Sequence, residues 1–404
     1  MPTLRFSLLA FSALACAACA LAQSNRHEPL RLEWRSPDAL AQGYAALLPS
    51  NRATVLSVRV VDEVTNRDPD LVAIPDEEEF VWRLESGEGL LTPRGDGSRC
   101  RLLPQASLGE PLVVSVTLTR TYHDPGRRLF KREQTHTATL RGRIVAPISA
   151  DHMDARGRIE GFQIGEYPDP YDQQLLESLG GAYDWVREHA DRYDPPQWFY
   201  PVTGASRDWA ISKHVRLGDF ILDAPHLSLG MPQCAAIDPL LLAKLEELAE
   251  EMHDAGHAFD HWSFIYGFRS PNYNLGRIEQ DQEDSLKSPF SQHMLGRAAD
   301  IIVDTDGDGI LDDLDGDGEI PVRDAAVIMH HVNVIDRRHR ATGNPRMGGA
   351  GLYAEHDYFE RAAAIGQSPY VHVDVRGFTR DDGTLFRWPS IWPDSGEPIR
   401  WSEL

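Results

Sequence analysis

Three side chains able to bind a metal stand in two separated runs: His293 and Asp300 in Ser291-Gln292-His293-Met294-Leu295-Gly296-Arg297-Ala298-Ala299-Asp300, and His372 in Tyr370-Val371-His372-Val373-Asp374. Their spacing restricts the fold. A regular helix would hold residues seven apart roughly 10 Å from each other along its axis, and a strand would place them farther apart on opposite faces. His293 and Asp300 can therefore share one ion only if the chain turns between them. Gly296 permits the backbone angles of such a turn, and Ala298 and Ala299 let the chain pass close before Asp300 leads into the apolar strand Ile301-Ile302-Val303. His372 reads as a strand residue, because Val371, Val373 and Val375 alternate with Tyr370, His372 and Asp374; the valines are expected to face a core and the polar three to line a cleft wall. Two imidazoles and a carboxylate suit a catalytic zinc ion (Zn2+), which takes donors at about 2.0–2.2 Å and keeps one position open.

Ser291-x-His293-x-x-Gly296-x-Ala298-x-Asp300, the upstream Gly267-Phe268-Arg269-Ser270-Pro271 and the downstream Val371-His372-Val373-Asp374 resemble, in this order, the motifs of the M15-type D-Ala-D-Ala metallopeptidases. The likeness covers roughly residues 205–390 and is nearest to the branch whose second metal histidine lies in a Val-His-x-Asp strand. It implies an enzyme that cuts peptide bonds in peptidoglycan stem peptides, as a carboxypeptidase or a crosslink endopeptidase, with water activated by zinc. Arg269 stands where the family keeps a substrate-holding arginine, which could bind a stem carboxylate or steady an oxyanion. Many relatives place a general base two or three positions before the second histidine, where this chain has Tyr370 and Pro369. Asp374 is then open to two readings, general base or carboxylate orienting a metal ligand. Tyr266 and Phe268 also depart from the common Ser-Gly-Tyr-Arg form.

From position 304 to 324, nine acidic residues share 21 positions with one arginine and four glycines, a net charge of −8 by that count. Like charges at this density repel unless cations neutralise them. With Asp304 at position 1 of a calcium loop of the EF-hand kind, Asp306, Asp308, the Ile310 backbone, Asp312 and Asp315 fall at 3, 5, 7, 9 and 12. Starting at Asp313, Asp315, Asp317 and Asp324 fall at 3, 5 and 12. The frames overlap, so one or two calcium ions (Ca2+) in an EF-like loop without a full helix-loop-helix pair are expected, in a structural role beside the zinc strand.

The 404 residues suffice for two domains and an export segment. Arg5 and the apolar residues 6–22, ending Ala20-Leu21-Ala22, read as a secretory signal peptide, with a weak lipobox alternative at Cys16; a periplasmic or secreted protein without a membrane span after cleavage is expected. Cys100 and Cys234 then remain, too few for a disulfide framework. A net charge of −22 argues against nucleic acid as a partner; oligomeric state is not legible. Residues 24–146 alternate in short strands (Leu56, Val58, Val60; Phe80, Trp82, Leu84; Val114, Val116, Leu118), with a turn at His123-Asp124-Pro125-Gly126, and suggest an immunoglobulin-like β-sandwich. Residues 147–204 read as a linker and helical connection, and 205–392 as a mixed α+β domain with an antiparallel sheet and the acidic insertion, followed by a tail at 393–404. The fold class is thus α+β.

Within the second half, Asp238 caps a helix that opens with Pro239, carries Leu241, Leu245, Leu248 and Met252 as an apolar stripe, and ends at Gly256. His253, His257 and His261 are spaced four apart, but Gly256 breaks the helix between them, so they read as surface or capping residues, as do His214, His330 and His331. Trp388, Trp392 and Trp401 read as core or docking residues. The competing functional class is a calcium-dependent binding module that keeps the peptidase-like surface without turnover.

Overall fold

The computed structural model describes residues 30–67, 71–105, 110–123, 133–179, 184–221, 233–281, 288–318, 322–353 and 368–388. Residues 1–29, which include the stretch read as an export segment, most of the turn expected around residue 125, and Trp392 and Trp401 lie outside them. The fold is mixed α+β and divides into two compact units, the chain passing from the first to the second between Ile144 and Val145, with short excursions at 47–51 and 106–111.

The first unit is built of strands β1 (Leu30–Ser36), β2 (Ala46–Leu47), β3 (Thr54–Asp62), β4 (Val72–Ser86), β5 (Glu88–Arg94), β6 (Arg99–Gln105), β7 (Leu112–His123) and β8 (Glu133–Val145). They form two four-stranded sheets, ordered β1-β3-β6-β5 and β2-β8-β7-β4. Period-two patterning sets the buried faces: Leu56 and Val58 of β3, and Val114, Val116 and Leu118 of β7, are buried as the alternation requires. Trp34 of β1 donates its indole N–H to the Arg141 carbonyl of β8 at 3.1 Å and meets Trp82 of β4 at 6.0 Å between ring centres, so the two sheets share an aromatic core.

In the second unit, strands β9 (Trp262–Tyr266), β10 (Ala298–Val303), β11 (Ala350–Tyr353), β12 (Tyr370–Asp374) and β13 (Arg387–Trp388) form one sheet in the order β9-β10-β12-β11-β13. All pairs are antiparallel except β11 with β13. Helices α1 (Pro239–Asp254), α2 (Pro271–Asp281) and α3 (Val322–Thr342) belong to the same unit. Helix α1 starts as read from the sequence: the Asp238 side chain accepts from the Leu240 amide at 2.9 Å, Pro239 occupies the first turn, and Leu241, Leu245, Leu248 and Met252 are buried. One residue departs from the stripe. Lys244 is buried completely and ties α1 to α3 through Asp336 at 2.7 Å.

The segment 147–204, expected as a connection, is part of the second unit's core. Trp198–Val202 is the middle strand of a three-stranded sheet, and Leu176, Val186 and Tyr193 pack with Phe290, Leu295, Phe378 and Phe386. Its glycines and prolines shape a compact irregular wrap instead of a free spacer. Cys100 and Cys234 are both buried free thiols. No helix of the described residues is long and apolar enough to cross a membrane.

Candidate metal centre

The two metal motifs meet through sheet pairing. Tyr266 of β9 pairs with Asp300 of β10, Asp300 with His372 of β12, and His372 with Gly351 of β11, so one row across four strands carries two of the three donors. The third comes from the turn that the spacing demanded. Gln292–Leu295 form a short 3-10 turn whose cap, Ser291, accepts from the His293 amide at 3.3 Å, and Gly296 ends it in the left-handed region at φ 68°. A side chain at Gly296 would also put its Cβ 2.3 Å from the Ala236 carbonyl oxygen, so the turn needs glycine for space as well as for angle. Tyr167 donates to the Met294 carbonyl at 2.9 Å, and Arg297 donates to Asp238 at 2.9 Å and to the Arg192 carbonyl at 2.6 Å, bracing the turn from two sides.

His293 Nε2, His372 Nδ1 and Asp300 Oδ1 form a triangle with edges of 3.1, 3.2 and 2.8 Å. A metal bound tetrahedrally at about 2.0–2.1 Å requires donor separations of about 3.3 Å, a few tenths of an ångström wider. The hydrogen-bond partners fix what these atoms offer. His293 Nδ1 donates its proton to the Gly267 carbonyl at 2.7 Å, which leaves Nε2 as a bare lone pair. His372 turns Nε2 toward Asp374 Oδ2 at 3.4 Å, which leaves Nδ1 facing inward. Three electron-rich atoms converge within hydrogen-bond distance of one another, an arrangement that needs a proton or a cation at its centre. The residues fit a three-donor zinc site.

The electrostatics agree. Burial, with the Arg269 charge behind it, pushes His293 down to about 4, so it is a neutral ligand at physiological pH. Burial opposes ionisation of Asp300, yet the histidines and Arg269 hold its carboxyl well below the usual range. For His372, burial pulls down but hydrogen bonds to Asp300 and Asp374 outweigh it and raise the imidazole above 6.5. The two carboxylates thus favour a proton on His372 that a metal ion would have to displace.

Arg269 reaches Asp300 Oδ2 with Nη2 at 2.5 Å and lies over the Tyr266 ring at 4.4 Å. It sits in the loop between β9 and α2, where Ser270 and Pro271 supply the cap and first turn of the helix. Its Nε is buried and has no hydrogen-bond partner among the described residues. The guanidinium thus holds a metal ligand with one edge and keeps an N–H unspent.

Asp374 is fully buried, not lining an open cleft as the strand alternation suggested. Oδ1 accepts from the Gly349 amide at 2.6 Å and Oδ2 from Arg376 Nη2 at 2.5 Å, and Arg376 Nε contacts both. Burial works against its charge, but Arg376 and His372 keep it ionised well below the ordinary carboxylate range. It faces the ring nitrogen of His372 that points away from the triangle. A general base must reach the reacting proton directly or through one water; of the two readings of Asp374, this geometry favours the carboxylate that orients a ligand. Behind it stands a network that motif spacing did not reveal. Lys244 donates to the Asp374 backbone carbonyl at 2.8 Å, and Arg387 donates to Asp336 at 2.9 Å and to the Gly348 carbonyl at 3.1 Å, which joins α1, α3, the sheet and the loop before β11. One sequence signal existed: Lys244 falls between Leu241 and Leu248 on the apolar face of α1.

The acidic loop separates into two groups that share no residue. Asp304, Asp306 and Asp308 lie together, as do Asp313, Asp315 and Asp324, with ligand atoms within 4.8 Å of one another in each. The overlap of the two frames is therefore resolved: Asp315 sides with Asp313 and not with Asp304. Asp312 is in neither group and accepts from the Thr305 amide and hydroxyl at 3.0 and 2.7 Å, and the Asp317 carboxylate lies outside both. The Ile310 amide donates to Asp308 at 2.8 Å.

The decoy histidines divide. His253 bonds the backbone of Phe259, at the end of α1, and joins no metal group of described residues. His214 and His331 are buried, where surface or capping residues were expected; His214 shares a hydrogen bond of 2.7 Å with Glu246, which satisfies its ring nitrogen away from water. Compared with known proteins, the chain matches no family model, no curated protein and no solved structure.

Proposed function

We propose that the chain is an exported zinc peptidase that hydrolyses peptide bonds in peptidoglycan stem peptides, its second unit a peptidase domain of M15-like type and its first an immunoglobulin-like spacer or wall-binding module. The carrying observation is the triangle of His293 Nε2, Asp300 Oδ1 and His372 Nδ1, three converging electron-rich atoms, with the other nitrogen of His293 spent on the Gly267 carbonyl. Three protein donors with a fourth position for solvent are the ligand count of a catalytic and not of a closed structural zinc site. The order of the three motifs, which resembles that of the M15-type peptidases, supplies the substrate class. When bound, zinc provides Lewis acidity toward the scissile carbonyl and toward water.

The chain's own residues have the following roles. His293 and His372 are held in their ligand tautomers by Gly267 and Asp374. Arg269 keeps Asp300 oriented, and its unspent Nε–H is suited to a substrate carboxylate or carbonyl oxygen. Tyr266, the strand partner of Asp300, and Tyr370, two residues before His372, are both buried.

The test is digestion of purified sacculi by the zinc-loaded protein, with mass spectrometry of the released muropeptides and zinc content measured on the same sample. One zinc per chain with stem-peptide cleavage that is lost in His293→Ala supports the reading. Bound zinc without cleavage favours the binding module, a reading that the low exposure of His293, Asp300 and His372 keeps in view.

A further inference from the structure

We infer that Asp313, Asp315 and Asp324 bind a calcium ion that fastens the loop after β10 to the first turn of α3. These three carboxylates lie within 4.8 Å of one another, and two oxygens on one calcium, each at 2.3–2.6 Å, can stand at most about 5 Å apart. Asp324 decides the matter. It is fully buried, its Oδ1 accepts from the Leu314 amide at 2.7 Å and the Asp315 amide at 3.0 Å, and its Oδ2 is buried with no hydrogen-bond partner among the described residues.

A carboxylate oxygen taken from water and left without a donor is unfavourable, and the neighbouring Asp313 and Asp315 add repulsion. No lysine or arginine ion pair is formed by any of the three among the described residues. A hard divalent cation removes both penalties at once, and oxygen-only ligands on a flexible loop suit calcium better than magnesium, which demands near-octahedral geometry and gives up water reluctantly. The other acidic group differs in one respect. Asp304 gives both oxygens to the Gly307 and Gly309 amides as Asp313 does to Gly316 and Gly318, and two members of each group are exposed, but the Asp304 group has no buried oxygen left over among the described residues.

The position of Asp324 gives the ion a role. It stands in the first turn of α3, the helix that carries Asp336, and Asp336 holds both Lys244 and Arg387 behind the His372 strand. Fixing the start of α3 thereby fixes the support of a zinc ligand. The site is distinct from the zinc triangle, so its occupancy is read without turnover.

Full-length protein is stripped of metal, reloaded with one equivalent of zinc confirmed by elemental analysis, and titrated with calcium chloride by calorimetry, with the melting temperature followed in parallel. Wild type is expected to show saturable binding and a higher melting temperature in calcium. Asp324→Asn, which preserves shape and the amide-accepting oxygen, is expected to lose one calcium equivalent, or to weaken it at least about tenfold as ligand charge falls, together with the thermal shift. Asp315→Asn, at an exposed position, reads the same loss if Asp324→Asn folds poorly. Absence of saturable calcium binding in the wild type, or binding unchanged in both variants, overturns the assignment while leaving the peptidase reading to its own test.

Discussion

Replacing Lys244 with methionine tests whether the buried charge network supports the metal centre. The ammonium is wholly buried and donates to Asp336 Oδ1 at 2.7 Å and to the Asp374 carbonyl at 2.8 Å. Burial pushes the ammonium pKa down while Asp336 pulls it back; burial likewise opposes the Asp336 charge, but Lys244, His339 and Arg387 hold that carboxyl low. Methionine keeps the length and removes both hydrogen bonds. Breaking a buried ion pair from one side costs about 3–5 kcal/mol, and a bare buried carbonyl about 1–3 kcal/mol. Two terms reduce the sum: the ammonium no longer has to be desolvated, and Arg387 still bonds Asp336 Oδ2 at 2.9 Å. We expect a net loss of about 3 kcal/mol, a large share of the roughly 5–15 kcal/mol of a typical native state. The assay is hydrogen exchange with mass spectrometry on peptides covering α1 and β12, alongside urea unfolding, because a chain of two units need not unfold in one step. Lys244→Met/Asp336→Asn should lose less than the sum of the single changes by at least about 1 kcal/mol. A loss below about 1 kcal/mol for Lys244→Met, or strict additivity in the double variant, would refute the network as a support.

Zinc affinity should depend on pH. Because the folded pKa of His372 is raised above 6.5, the metal-free site keeps a proton where a free histidine has lost one, and zinc must displace it; affinity therefore rises with pH up to that raised value and falls by about tenfold per unit below it. Equilibrium dialysis showing constant affinity from pH 5 to 7 would contradict this. Gly296→Ala forces a side chain into a left-handed position and against the Ala236 carbonyl, so it should destabilise the zinc-loaded second unit by about 3 kcal/mol or more, measured by urea unfolding; a near-neutral result would show that the turn relaxes. Arg269→Lys keeps the charge but loses the paired N–H geometry, and muropeptide release should fall about 100-fold or more while zinc stays at one per chain; unchanged release would remove Arg269 from the reaction.

Much of this centre was legible before any coordinates. The seven-residue spacing of His293 and Asp300 excludes helix and strand alike and demands a turn, and Gly296 marks where it closes. Helix α1 was readable from its cap, its first-turn proline and its stripe, yet the same stripe hid Lys244, since a lysine at an apolar position looks like a long side chain reaching out to solvent. Asp374 was ambiguous for a related reason: strand alternation puts it on the His372 face but does not say what covers that face, and here Arg376 and the Gly349 amide seal it. His214 and His331 depart from the surface or capping reading because sequence spacing does not show a neighbour such as Glu246, whose carboxylate makes the burial of His214 tolerable.

The sequence by itself determined the donor types, the turn between two of them, the alternating strands and the density of carboxylates after β10. Each of these follows from local backbone geometry and local charge, which a chain carries wherever it goes. Tertiary structure alone decided that Asp300 and His372 face each other across a strand pair, which nitrogen of each histidine is left bare, and which of the clustered aspartates is buried with an oxygen unmatched. Those outcomes depend on register and on water exclusion, and both are set by residues distant along the chain.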